Sequence, residues 1–308
     1  MIELNSVTKI YGGRHAVDNV TFTINRGEFC VLVGPSGCGK STTLRMINRL
    51  VNVDQGRILI DNEDISKKSP EILRRSIGYA IQSIGLFPHW TVERNIATVP
   101  QLLKWPRDRI RDRVTELLVL LNLDPKIFRT KYPGQLSGGQ QQRVGVARAL
   151  AAKPEVLLMD EPFGAHDPIT RDSLQVEMSR IHKNTGTTVV FVTHDMEEAL
   201  KMATRIAVME SGRILQYAPP IDILRNPTHD FIKEFVGRSD FGLKLLTVQK
   251  VRDRLRLNEY VSGEPIAPDM PLREALSLMI LQNRDSLPVK GENPNVTGVI
   301  RLVDMIGL

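Results

Sequence analysis

At 308 residues, 42% hydrophobic and 25% charged, the chain suits one large domain or one domain with a small appendage. Its net charge of +6 is spread along the chain rather than gathered in a basic tail, so a nucleic-acid or anionic-membrane partner is permitted but not demanded. Two cysteines, Cys30 and Cys38, make no disulfide framework, the start MIELNSVTKIY has no signal pattern, and no apolar run approaches the roughly 18–20 residues of a spanning helix.

Short β-type runs open the chain at Ile2–Leu4 and Val20–Ile24. Phe29–Gly34 (FCVLVG) is continuously apolar and reads as a buried strand. The stretch GPSGCGKST follows, then a helix through Leu44, Met46, Ile47 and Leu50. Ile58–Ile60 and Ile77–Ile81 are further strands, and about 91–152 reads as helical, with apolar residues at helical spacing in Arg107–Leu121 and helix formers in Gln140–Ala152. Strand character returns at Glu155–Met159 and Thr188–Val192, on either side of a helix over Pro168–Asn184. This alternation predicts an α/β domain with a mainly parallel sheet. The pattern resets near Gly237–Asp240, which divides the chain into 1–237 and a tail, 238–308. In the tail Pro271–Asn283 reads as a helix, Leu287–Val289 and Val299–Leu302 as short strands, and Val303–Ile306 as a final turn.

Gly34, Pro35, Ser36, Gly37, Cys38, Gly39, Lys40, Ser41 and Thr42 fit G-x-x-x-x-G-K-[ST] between a strand and a helix. Glycines let such a loop wrap closely, so that its amides face phosphate oxygens, and the helix adds its positive end. Lys40 would reach the β- and γ-phosphates, Ser41 would offer its hydroxyl to Mg2+, and Cys38 would be a small loop residue with an outward side chain. The stretch MDEPFGAHDP, residues 159–168, packs Asp160, Glu161, Asp167 and His166 together and could be either a transition-metal site or a phosphate-handling one. With no cysteine nearby and one local histidine, phosphate chemistry is the expectation: Asp160 in the Mg2+ shell, Glu161 polarising water. His166 is left without a role. LSGGQ, Leu136–Gln140, is a second glycine-rich turn at a helix start and can also bind phosphate.

Together these motifs resemble an ATP-binding cassette (ABC) ATPase over about residues 1–237. The resemblance implies a P-loop fold with an antiparallel β subdomain and a helical subdomain. It implies that Tyr11 stacks on adenine, that Gln82 touches Mg2+ or water, and that His194 contacts the γ-phosphate. Ser137, Gly138, Gly139 and Gln140 would bind the ATP of the other subunit in a homodimer that sandwiches two Mg-ATP. His166 departs from the family, which usually has Leu in Ala-Leu-Asp. Tolerated variation, impaired hydrolysis or dimer coupling, and a role of its own all stay open.

Repair-type relatives of the family carry a long coiled coil between the two glycine motifs, and no sustained heptads occur here, so no nucleic-acid partner is expected. The absence of fused membrane helices implies a separate permease. The segment Gln82–Asn95 resembles the importer surface that receives it, with exposed Leu86, Phe87 and Trp90 as an apolar docking patch, and the resemblance further implies a solute-binding protein and a peripheral place on the cytoplasmic face of the inner membrane. The tail (MPLREAL, Asn283, LPV, GVI, Asp304) resembles one cystathionine β-synthase (CBS) motif, which leaves nucleotide sensing and plain dimerisation both open. With KSTTLRMINRL and SDFGLKLL, the whole chain resembles the ATPases of osmoprotectant importers for glycine betaine, choline, carnitine or proline-type solutes. An importer of another small solute, such as an amino acid or polyamine, is the alternative.

Overall fold

The computed structural model describes residues 1–81, 85–164, 167–237, 240–291 and 298–306. It comprises two compact units, Met1–Ala218 and Pro219–Leu308. The division falls upstream of the boundary expected at 237, because the helix Pro220–Arg225 packs on Phe241–Val248 within the second unit.

The first unit is built on a six-stranded sheet in the order Arg213–Ala218, Arg205–Glu210, Phe29–Val33, Thr188–Thr193, Val156–Asp160, Ile77–Ala80. All pairings are parallel except that of the edge strand Arg213–Ala218. Every residue of the three central strands is buried, as their unbroken apolar sequence requires of strands covered on both faces. Each such Val, Leu or Phe contributes about 1.5–3 kcal/mol by leaving water. The register sets Val33 opposite Thr193 and Asp160 opposite Val192, so the loops after all three strands open at one edge.

A second, antiparallel sheet has the order Arg14–Ile24, Ile2–Tyr11, Gln55–Ile60, Glu63–Asp64. Its first two strands run longer than the apolar runs suggested. They are joined by Gly12 and Gly13, both at positive φ (54° and 78°), the conformation of a tight hairpin turn. Leu4, Val7, Phe22, Ile24 and Ile58 of this sheet share one core with Leu32, Val190 and the helix Lys40–Ile47. Helices Val92–Ile96, Thr98–Leu102, Arg107–Leu120, Pro125–Phe128 and Gly138–Leu150 form the helical part expected at 91–152.

The second unit has a three-stranded antiparallel sheet, Arg256–Leu257, Gly298–Arg301, Ser286–Val289, with helices Leu272–Leu281 and Leu302–Ile306. Leu272, Ala275, Met279, Leu287, Val289 and Ile300 lie in its core. The terminal segment read as a turn is a short helix. It is pinned by Asp304, whose two carboxylate oxygens take Arg256 Nε (3.0 Å each) and Nη2 (2.6 Å). These Arg256 hydrogen bonds hold the Asp304 carboxyl below its usual range. A depressed folded-state value contributes stability above the ordinary carboxylate range, which is lost as pH falls through the folded value. Thermal melts are therefore expected to show the second unit weakening below about pH 4–5. Asp304→Asn should lower its midpoint at neutral pH and flatten that acid dependence.

Candidate functional site

Gly34 and Gly39 bracket the loop after Phe29–Val33, and both need to be glycine. At φ +155° a Cβ on Gly34 would lie 2.1 Å from the Met209 carbonyl oxygen; at φ +106° one on Gly39 would lie 2.4 Å from that of Ala16. The loop is thus seated against both sheets. The Cys38 carbonyl also accepts the Gly212 N–H at 3.1 Å. Pro35, Ser36 and Gly37 are exposed at its crest, while Lys40 is buried. Lys40 Nζ donates to the Gly34 and Pro35 carbonyls, both at 2.8 Å, which curls the loop around the ammonium. Cys38 does not point outward as expected. Its buried Sγ lies 3.8 Å from Lys40 Nζ, and burial pushes the thiol upward. Ser41 and Thr42 occupy the first turn of Lys40–Ile47, which carries no acidic residue and leaves its first amides without helical acceptors.

Asp160 ends the strand Val156–Asp160, buried with one edge on this helix. Its Oδ1 accepts the Ser41 hydroxyl at 2.7 Å, and Arg45 Nη2 lies 3.9 Å from Oδ2. Glu161 adopts φ +43°, outside the range strands use, and its N–H donates to the Val192 carbonyl at 3.0 Å. That turn sends its side chain to the histidine after the neighbouring strand: Glu161 Oε2 is 3.4 Å from His194 Nδ1. The sheet edge therefore brings Lys40, Ser41, Asp160, Glu161 and His194 into one place. A hydroxyl and a carboxylate side by side are hard oxygen donors, fitted to Mg2+, which usually needs only one or two carboxylates beside phosphate and water. Among the described residues no three His, Cys, Asp or Glu side chains converge on one point.

Ser137 caps the helix Gly138–Leu150. Its hydroxyl accepts the Gln140 N–H at 3.3 Å, and Gln140 Oε1 accepts the Ser137 N–H at 3.0 Å. Ser137 and Gly138 face solvent, whereas Gly139 packs on Thr170, its would-be Cβ 2.9 Å from Cγ2. A further tie to the same neighbouring helix is the buried Glu177, whose Oε2 lies 2.8 Å from Arg143 Nε. Tyr11 sits half exposed at the hairpin tip with the Lys9 ammonium 5.2 Å from its ring centre. Gln82 and His166 lie outside the described residues. Of the three residues expected in an exposed patch beyond Gln82, only Phe87 is exposed, while Leu86 and Trp90 are half-buried; Phe87 and Trp90 pair at 4.4 Å between centroids, under Arg148 and Arg94. The buried Asn95 holds them by accepting the Phe87 N–H and donating to the Phe87 and Trp90 carbonyls.

Among the strands that the sequence reading missed are Arg205–Glu210 and Arg213–Ala218, and with them the wall behind the loop. Two apolar runs flank Ser211-Gly212, both at positive φ (48° and 83°), a hairpin signal that was available.

A glycine cradle and buried lysine at the carboxyl edge of a parallel sheet, with a carboxylate pair at the end of the next strand but one, define a P-loop nucleotide-binding ATPase. A sequence-family profile described as ABC transporter matches residues 17–164. The chain is 51% identical over 306 residues to the glycine betaine uptake system ATP-binding protein YehX of Escherichia coli (strain K12), covering 99% of each. It is 48% identical over 303 residues to the choline transport ATP-binding protein OpuBA of Bacillus subtilis (strain 168), covering 97% of this chain and 78% of that one. A dimeric ATP-binding cassette in a post-hydrolysis state, bound to ADP and Pi, matches 71% of this chain and 98% of its own at a TM-score of 0.64 and 35% identity. The chain belongs to the ATP-binding subunits of ABC transporters. No helix of the described residues is long and apolar enough to cross a membrane.

Proposed function

We propose that this ATPase powers an importer of osmoprotectants, small quaternary amines such as glycine betaine or choline. The supporting observation is that the likeness to the betaine and choline subunits spans 97–99% of the chain, through the second unit as well as the cassette. The solute itself would pass through a separate permease on the inner membrane, fed by a solute-binding protein, with Phe87 and Trp90 as an apolar docking patch whose shape Asn95 fixes.

Two copies would close head to tail on two ATP, a reading supported by the likeness to a cassette that is dimeric and bound to ADP and Pi. The loop 34–42 and the first turn of Lys40–Ile47 then hold the phosphates. Lys40, already centred in the loop, shifts its ammonium from carbonyls to β- and γ-oxygens. Tyr11 stacks on the base, and Ser137, Gly138 and Gly139 of the opposite copy present the exposed start of their helix to the γ-phosphate, with Gln140 locking that start. Ser41, Asp160 and Gln82 would hold Mg2+, which when bound neutralises charge building on the phosphates. Glu161 takes a proton from the attacking water, and His194, beside it, orients the γ-phosphate. The second unit, with its CBS-like pattern, serves dimerisation or regulation.

The test is growth and radiolabelled uptake in a strain lacking its own osmoprotectant uptake, with this chain expressed beside its cognate permease and binding protein. Betaine or choline should rescue growth at high salt only when Glu161 is intact. Rescue of amino-acid or polyamine uptake without betaine uptake would overturn the substrate class and leave the ATPase reading standing.

A further inference from the structure

Thr193 is the last residue of Thr188–Thr193, 2% exposed, and it immediately precedes His194. Its hydroxyl donates to Glu198 Oε2 at 2.6 Å and accepts the Asp195 N–H at 3.0 Å. One oxygen therefore holds the backbone on both sides of His194. Glu198 belongs to the helix Met196–Met202 and is 6% exposed. Its other oxygen accepts Gln175 Nε2 at 3.0 Å and stands 4.0 Å from Arg171 Nε. Gln175 and Arg171 are one turn apart on Pro168–Thr185, the helix capped by Asp167 that follows the loop after Glu161.

A carboxylate in this place is costly. Burial pushes Glu198 above the usual carboxylate range, the charge of Asp195 adds to that, and Thr193, Gln175 and Arg171 oppose it. Buried charged groups of this kind are often replaceable by apolar ones with no loss of stability, so packing alone does not call for glutamate here. What a carboxylate does supply is two acceptor oxygens, one for each of two separate elements.

We propose that Glu198 is a positioning residue for hydrolysis: through Thr193 on one oxygen, and Gln175 with Arg171 on the other, it locks the His194 loop to the helix Pro168–Thr185. His194 and the helix Pro168–Thr185 then move as one body. This rests on the reading of His194 as a γ-phosphate ligand. The geometry between Glu161 and His194 is the quantity Glu198 controls, and misplacement of a reacting group by about 1 Å can cost on the order of 100-fold in rate.

The experiment uses the full chain and measures kcat, KM and melting temperature, with ATPγS as the binding probe. Thr193→Val and Glu198→Ala should each lower kcat by about tenfold or more while ATPγS affinity stays within about twofold. Glu198→Gln, which keeps a hydrogen bond to Thr193, should fall between them and the parent. The double variant should be no worse than the poorer single variant, because both break one link. Should Glu198→Ala fail to fold, Thr193→Val and Glu198→Gln carry the test. A kcat within about twofold of the parent, a loss that follows ATPγS affinity, or multiplicative single effects would overturn the proposal. His194→Ala is the control. If it too keeps full kcat, the reading of His194 falls; if it is inactive while Thr193→Val and Glu198→Gln are not, only the role of Glu198 falls.

Discussion

Glu161→Gln is expected to remove ATP turnover and leave ATP binding intact. Glutamine has the shape of glutamate and can still hydrogen-bond, so the backbone at φ +43° and the bond to the Val192 carbonyl should survive. What it cannot do is take a proton. A positioned general base contributes about 10²–10⁴-fold, and kcat should fall by that order. Binding should not fall, because on the proposed reading the phosphates are held elsewhere, by Lys40, Ser41 and the loop amides. On the proposed reading, in which hydrolysis releases the two-copy sandwich, the variant should also accumulate as an ATP-bound dimer, visible as earlier elution in gel filtration with Mg-ATP. The competing assignment gives the base to His194, which lies 3.4 Å from Glu161 Oε2 and is more than half exposed. On that assignment Glu161→Gln would keep a tenth or more of the parent rate, and His194→Ala would be the inactive one. The two variants measured together decide between them.

The sheet's centre was legible because its physics is local. A short unbroken apolar run ending at a glycine loop, such as Phe29–Val33, reads as a strand buried on both faces, and a glycine loop between strand and helix points to a phosphate cradle. The end of the strand that begins at Val156 carried Asp160 and Glu161 into view for the same reason, whereas His194 came into view only through the family resemblance. What sequence could not deliver was the depth of particular side chains. Cys38 reads as a crest residue, yet its thiol is turned under the loop, because the chain must curl around Lys40. Glu198 carries no motif that singles it out in the sequence, and only the pairing of two helices with a strand end shows it buried. The strands at Arg205–Ala218 were missed although their turn signal was present, and the omission mattered. Met209 and Gly212 are what seat the phosphate loop from behind. The long strands of the antiparallel sheet were underestimated because one face meets solvent: the exposed Arg14, His15 and Asn19 break up the apolar pattern ahead of Val20–Ile24.

Lys40→Ala is the other large effect expected, and it acts one step earlier, on binding. The ammonium is 4% exposed and its two acceptors, the Gly34 and Pro35 carbonyls, are part of the loop it organises. Removing it takes away the cation nearest the phosphates and also leaves two carbonyls without their donor. A unit charge about 4 Å from another is worth roughly 4 kcal/mol at a protein-surface dielectric, so a fall in ATP affinity of two orders of magnitude or more is expected. The readout is thermal. A ligand at about 100 times its Kd stabilises the folded state by about 2.7 kcal/mol. That increment should be present in the parent and in Glu161→Gln, and absent in Lys40→Ala at the same Mg-ATP concentration. Lys40→Arg should not restore it, because a planar guanidinium is too broad for a cavity closed by Cys38 Sγ and two carbonyls. The pattern separates loop from base. A variant that loses the thermal shift has lost the cradle; one that keeps it and loses turnover has lost only the proton acceptor. If Lys40→Ala kept the full shift, phosphate binding would have to rest on the loop amides and helix end alone, and the buried lysine would be a structural tie rather than a ligand.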